Sequence, residues 1–282
     1  MRRIALLLLT LGIFIGFAQA QDDQDKGTLT VATDVGFAPF AMTTTQGELT
    51  GFSVDLINAM IEYLDYSDVE IVDTNFASIF AGLYASRYDF ILGMVTVTEE
   101  RAQEMMFSEP YLPTGLSLLG SSDSERLSSL EELEGQTLAV NSGSVSDTWA
   151  TENAQSYGFE VQRYNKVADA FQAVATGRAL VAMAEVPVVR YAAVQNPRLA
   201  ELYFMDTNQS FAFAFRPDDS ELRNEIERAL ECVKLDGTLA EIHREWFNSA
   251  PDAGLAAAVV HAGFGFPNLP GHSYDYHVPD CE

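Results

Sequence analysis

Strand-like and helix-like apolar periods alternate along this chain and then start again, a grammar that points to an α/β architecture with a largely parallel sheet. Thr28 to Thr33 has a strand pattern, and Val54 to Leu64 puts Leu56, Ile57, Met60, Ile61 and Leu64 on one helical face. Val69 to Asp73 reads as a strand and Ala77 to Ser86 as a helix with Ile79, Phe80, Leu83 and Tyr84 inward. Tyr88 to Val95 is an apolar strand.

The second round runs through a short helix at Leu130 to Leu133, a strand at Thr137 to Val140 and a helix at Asp147 to Ser156. A strand at Glu160 to Tyr164, a helix at Ala168 to Thr176 and a strand at Leu180 to Ala184 complete it. Gln209 to Phe215 then reads as one more strand, followed by a helix capped by Ser220 that carries Leu222, Ile226, Leu230 and Val233, and a last helix over Gly237 to Phe247. The apolar faces of these late helices must cover something, and the first unit has few elements of its own. A chain that leaves unit one, builds unit two and returns makes two lobes joined by two crossings, which hinge around a cleft.

Composition narrows the function. The sequence holds 16 basic and 41 acidic residues, a formal charge of −25, with no basic stripe. Nucleic acid and anionic lipid are excluded as partners, because both demand clustered Lys and Arg. Arg2 and Arg3, the apolar run Ile4 to Phe17 and the small-x-small site at Ala18 to Ala20 have the form of an export signal cleaved after Ala20. Cys232 and Cys281, the only cysteines, are expected to pair outside the cytoplasm, closing a loop that would stabilise the fold by about 4 kcal/mol on a chain-entropy argument. So acidic a surface fits a saline medium, where salt screens self-repulsion; an unfolding midpoint that falls as NaCl rises to molar levels contradicts this.

Several segments carry a family resemblance. Val31 to Phe40 (VATDVGFAPF) with Gly51 to Leu56 (GFSVDL), Gly93 to Arg101 (GMVTVTEER) and Phe107 to Tyr111 (FSEPY) resemble the first lobe of the amino-acid class of periplasmic solute-binding proteins of ABC transporters. Ser142 to Ser144, Gly177 and Arg178, Glu185 with Pro187, and Asp236 to Phe247 (DGTLAEIHREWF) fall where that class has its later motifs. The resemblance implies a two-lobed type II periplasmic binding protein fold with two hinge crossings: signal peptide 1–20, lobe one 27–112 and 206–248, lobe two 113–205, and a C-terminal extension 249–282. It also implies a periplasmic monomer without cofactor or resident metal, which binds a small zwitterionic ligand and passes it to the membrane permease of an ABC importer.

An α-amino acid presents a carboxylate and an ammonium, so its site needs a fixed cation, N–H donors and an anion across a closing cleft. Arg101 lies in the first turn of a helix that Thr98 can cap, where a cation is disfavoured by the positive helix end unless it holds an anion. By resemblance Arg101 forks onto the ligand carboxylate, helped by the Thr96 hydroxyl and by the Ser144 and Val145 amides, with Asn141 nearby. Gly93, with Met94 beside it, and Glu185 would receive the amine, Phe37 and Phe76 would form aromatic walls, and Asp34 would face the cleft. As residues alone, Phe37 and Phe76 also suit a core and Asp34 a turn.

Glu185 stands where relatives that bind free amino acids usually have Asp, a departure that suits a ligand amine differently placed, substituted or cyclic as well as one with the ordinary partner; compatible solutes such as ectoine join ordinary amino acids as candidates. A buried carboxyl could instead donate a proton, and cyclohexadienyl (prephenate or arogenate) dehydratases share the fold. No second acid or base accompanies Glu185 in the matched set, and no nucleophile triad, phosphate loop or HExxH motif is present, so the expectation is a receptor and not an enzyme. The extension holds His261, His272 and His277 with Asp275 and Asp280, at spacings that fit no strong metal motif, and reads as a tail laid down by the disulfide.

Overall fold

The computed structural model describes residues 25–281, so the predicted signal peptide lies outside the described residues. The first half contains β1 (Thr28–Thr33), a small hairpin of β2 (Met42–Thr43) and β3 (Leu49–Thr50), α1 (Phe52–Met60), β4 (Asp68–Asp73), α2 (Phe76–Tyr84) and β5 (Phe90–Thr96). Next come α3 (Glu99–Ala102), β6 (Met106–Phe107) and β7 (Leu112–Ser121). The second unit is β8 (Thr137–Asn141), α4 (Val145–Tyr157), β9 (Glu160–Tyr164), α5 (Val167–Ala175), β10 (Val181–Glu185) and α6 (Val186–Gln195). The 17-residue β11 (Leu199–Phe215) returns, and α7 (Ser220–Leu235) and α8 (Thr238–Phe247) follow.

One sheet of nine strands runs through both lobes in the order β4-β1-β5-β11-β7-β10-β8-β9, with β6 paired to β11. β1 pairs in parallel with β4 and β5, and β8 in parallel with β10 and β9, as βαβ crossovers require. The expectation of a largely parallel sheet needs correcting, because β7 and β11 are antiparallel to each other and to β10 and β5 respectively. They are the two crossings between the lobes. A chain that goes out along one strand and comes back along its neighbour must pair antiparallel.

β5 (FILGMVT) is buried at every residue, as a strand covered on both faces must be. α1 buries Leu56, Ile57 and Met60 in the core cluster that also holds Ile226, Leu230 and Val233 of α7 and Leu239 and Ile242 of α8. The returning helices therefore cover the first lobe, as their apolar faces demanded. Two local expectations fail: Asp219, not Ser220, precedes α7, and Tyr84 is 45% exposed because it sits on the last turn of α2, past the inward stripe. Among the described residues no helix is long and apolar enough to cross a membrane.

The extension is held to α7 and the 107–110 segment by a buried polar network and by the Cys232–Cys281 disulfide. Lys234 Nζ donates to Glu109 Oε1 (2.6 Å), Pro110 O (2.7 Å) and Val259 O (2.9 Å), while Glu109 Oε2 accepts the His261 N–H (2.7 Å). Glu227 accepts the N–H groups of Glu109 (3.0 Å) and Gly265 (2.8 Å), and Arg223 donates to Phe107 O (3.3 Å) and Gly271 O (3.0 Å). His277 stacks on Phe264 and places Nε2 2.8 Å from both Glu231 oxygens. The Nε2 atoms of His272 and His277 thus meet protein oxygens, His261 bonds through its backbone N–H, and no cluster of three or more metal-ligating side chains forms among the described residues.

Burial pushes the Glu227 carboxyl up to about 8, against the N–H donors that pull it down. The folded state then holds this proton more tightly than the unfolded chain, so the stabilisation is complete below the ordinary Glu pKa of about 4.3 and is lost as pH rises through about 8. Unfolding midpoints should decline from about pH 5.5 to about pH 8.5, and Glu227→Gln should flatten the decline. A profile that rises over this range, or one Glu227→Gln leaves unaltered, contradicts the assignment.

Candidate ligand-binding site

The site begins where β1 ends. Asp34 is 2% exposed, and its Oδ2 accepts the Phe76 N–H at 2.9 Å, satisfying an orphan donor at the start of α2 that the Asn75 side chain leaves uncapped. Gly93 on β5 allows a close approach to β1, since a Cβ there would lie 2.7 Å from Thr33 Oγ1. Thr98 Oγ1 accepts the Arg101 N–H at 3.2 Å, so the expected cap is present on α3. From that turn Arg101 reaches back, Nη1 donating to Thr96 O (2.8 Å), with its guanidinium 5.6 Å from the Phe76 ring centre and 5.2 Å from that of Phe80.

The second lobe meets this surface through three elements. Ser144 caps α4 by accepting the Asp147 N–H (3.2 Å), and its Oγ donates to Asn141 O (2.8 Å). Asn141 Nδ2 donates to Tyr164 O and Asn165 O, leaving its buried Oδ1 without a partner. Gly143, at φ +78°, packs against Ala77 of α2 and offers its carbonyl to Arg101 Nη2 at 3.2 Å. Glu185 ends β10 and precedes α6; it is 4% exposed and its Oε1 accepts from the Thr96 hydroxyl at 3.4 Å. Lys166, just before α5, donates to Asp34 Oδ1 (2.6 Å) and Asp73 Oδ1 (3.0 Å). The lobes are in contact across these bonds.

Burial raises the Glu185 carboxyl above the ordinary carboxylate range, with Arg101 pulling the other way. Burial also lowers Arg101, to about 10, which leaves it a cation at neutral pH. Beside it a cavity of about 390 Å³ opens between Phe80 and Met105 on one side and Val145 and Trp149 on the other. A larger cavity, about 720 Å³, lies between α6 and α8, lined by Tyr191 and Trp246, and touches none of the residues named for the site.

Asp34, Phe76, Thr96, Arg101 and Glu185 are therefore brought together, with Asn141, Ser144 and Val145 on the loop and helix start that face Arg101. Phe37 and Met94 are 3% and 2% exposed within the large apolar core cluster, which draws residues from both lobes. Sequence reasoning missed Lys166, Asp73, Phe80 and the Gly143 carbonyl. For Lys166 a signal existed, since a lysine at a helix N-terminus is as anomalous as Arg101.

The sequence pattern of the bacterial extracellular solute-binding proteins, family 3, matches residues 29–249. The chain belongs to that family. A probable amino-acid ABC transporter-binding protein of Haemophilus influenzae is 30% identical to this solute-binding protein, over 83% of this chain and 91% of the relative. Among solved structures, an ancestral arginine-binding protein bound to arginine has a TM-score of 0.75 at 30% identity, covering 79% of this chain and all of the other. An ancestral amino-acid-binding protein, a precursor of cyclohexadienyl dehydratase, has a TM-score of 0.73 at 32% identity, covering 78% and 96%. The two-lobed fold with two crossings is that of these periplasmic binding proteins.

Proposed function

We propose that this solute-binding protein is a periplasmic receptor for an amino acid or amino-acid-derived zwitterion, compatible solutes such as ectoine included, which it delivers to the permease of an ABC importer. The observation that carries the proposal is Arg101, a half-buried cation bonded to Thr96 of one lobe and Gly143 of the other, with an aromatic floor beneath it. A carboxylate held by this fork would link the lobes and favour the closed state. Thr96 and the amides of Ser144 and Val145 would assist, the Gly93 carbonyl and Glu185 would take the amine, and Phe37 and Phe76 would wall the ligand. Register breaks in β11 between Glu201 and Tyr203 and between Met205 and Gln209 support a lobe boundary near 205, with the other near 112 at the start of β7.

One observation favours a second reading. Glu185 is a buried carboxyl whose proton is held more tightly than usual, as a dehydratase acid would need. A thermal-shift screen of the purified protein against amino acids, ectoines, betaines, prephenate and arogenate separates the two, since a ligand of the folded state raises the melting temperature. A shift with a zwitterion and no product on incubation is expected. Conversion of prephenate or arogenate would make Glu185 a catalytic acid.

A further inference from the structure

The charges at the cleft include two cations, Arg101 and Lys166, the carboxylates of Asp34 and Glu185, Asp73 at the rim, and Glu100, Glu104 and Glu152 around the cavity beside Arg101. They are not equivalent. Asp34 and Arg101 lie at either side of one residue: Asp34 binds the backbone N–H of Phe76, and Arg101 sits over its ring. The surface thus runs from cation to aromatic ring to carboxylate. A ligand anchored through its carboxylate on Arg101 and extended along Phe76 would bring its far end toward Asp34.

Both Asp34 oxygens are already engaged, Oδ2 by Phe76 N and Oδ1 by the ammonium of Lys166 at 2.6 Å. Lys166 arrives from the opposite lobe, and its side chain is only one quarter exposed. Asp73 Oδ1 holds the same ammonium at 3.0 Å and also accepts the Val35 N–H, so Lys166 is fixed by two first-lobe carboxylates. Asp34 is nearly fully buried, and a charge there that lost its partner would be costly. An incoming guanidinium or ammonium would therefore have to displace a tethered internal one and leave two cations in one partly dry corner.

We propose that Lys166 determines specificity, occupying Asp34 as an internal cation so that the receptor rejects amino acids with cationic side chains and takes those with neutral or acidic ones. This rests on the receptor reading above. It sets the chain apart from the arginine-bound ancestral protein it resembles in fold.

The test is calorimetric titration of the purified full protein with L-arginine, L-lysine, L-glutamine and L-glutamate, for the wild type, Lys166→Met and Lys166→Met/Asp34→Asn. The wild type should bind glutamine or glutamate at least tenfold more tightly than arginine or lysine. Lys166→Met should raise affinity for arginine or lysine at least tenfold, and adding Asp34→Asn should remove that gain. A merely structural Lys166 would change all four affinities together. Wild-type preference for arginine or lysine, or a folded Lys166→Met protein with an unchanged ratio, overturns the assignment of Lys166 while leaving the receptor intact. Binding of none of the four, nor of any other zwitterion, by wild type or variants overturns the receptor reading and this inference with it.

Discussion

Replacing Arg101 with alanine should weaken zwitterion binding by roughly 30- to 4,000-fold, because truncating one partner of a desolvated charge pair costs about 2–5 kcal/mol and each 1.4 kcal/mol is tenfold. The size of the effect follows from where Arg101 sits. Its Nη1 and Nη2 groups bond to Thr96 O and Gly143 O, so the guanidinium is oriented by both lobes where they meet. Preorganisation of this kind means little entropy is lost when a carboxylate binds. Arg101→Lys should recover only part of the loss, since an ammonium keeps the charge and loses the planar fork. Titration calorimetry gives the affinities and circular dichroism checks that the variants are folded. A folded Arg101→Ala protein with wild-type affinity removes the anchor.

Replacing Lys234 with methionine should cost about 3–5 kcal/mol of stability, the usual consequence of breaking one side of a buried ion pair. Lys234 and Glu109 side chains are 1% and 0% exposed, and the ammonium also satisfies Pro110 O and Val259 O. Without it, a buried carboxylate and two carbonyls lose their donor. For a protein of this size the unfolding midpoint should drop by roughly 6–20 °C, at about 2–4 °C per kcal/mol. Glu109 can escape by taking up a proton, so the deficit should shrink as pH is lowered. Adding Glu109→Gln should restore part of the loss at neutral pH, because the amide still accepts the His261 N–H without a buried charge. Differential scanning calorimetry reads all three proteins; a midpoint within 2 °C or so of wild type for Lys234→Met would show that the network carries no weight.

The βαβ units were legible because their strands alternate with helices of matching length, and Glu160 to Tyr164 coincides with β9 at both ends. What escaped was the connection. β7 (LPTGLSLLGS) carries Pro113, Gly115 and two serines, and the first half of β11 alternates in exposure through Asp206, Thr207 and Asn208, which look like a turn. Each is stabilised by pairing with the other, a long-range interaction that no local window contains. α6 begins directly after β10, with Glu185 serving as its N-cap and Pro187 in its first turn, so no loop signal separated strand from helix.

The site shows the same division. Arg101 stood out because a cation at the start of a helix is locally wrong, and the Thr98 cap was readable from spacing. Lys166 obeys the same logic, but its partners Asp34 and Asp73 come from another lobe. One flank of α7 gave no local signal: Glu227, Glu231 and Lys234 are residue types that suit a solvated face, and they are buried because the extension lies over them.

Titration calorimetry of the purified wild-type protein with a panel of amino acids, ectoine and betaines, run in parallel with Arg101→Ala, tests the central claim most directly. The expected result is saturable one-to-one binding of at least one zwitterion, lost in the variant. Absence of binding by every zwitterion at millimolar concentration, or equal binding by both proteins, would contradict it.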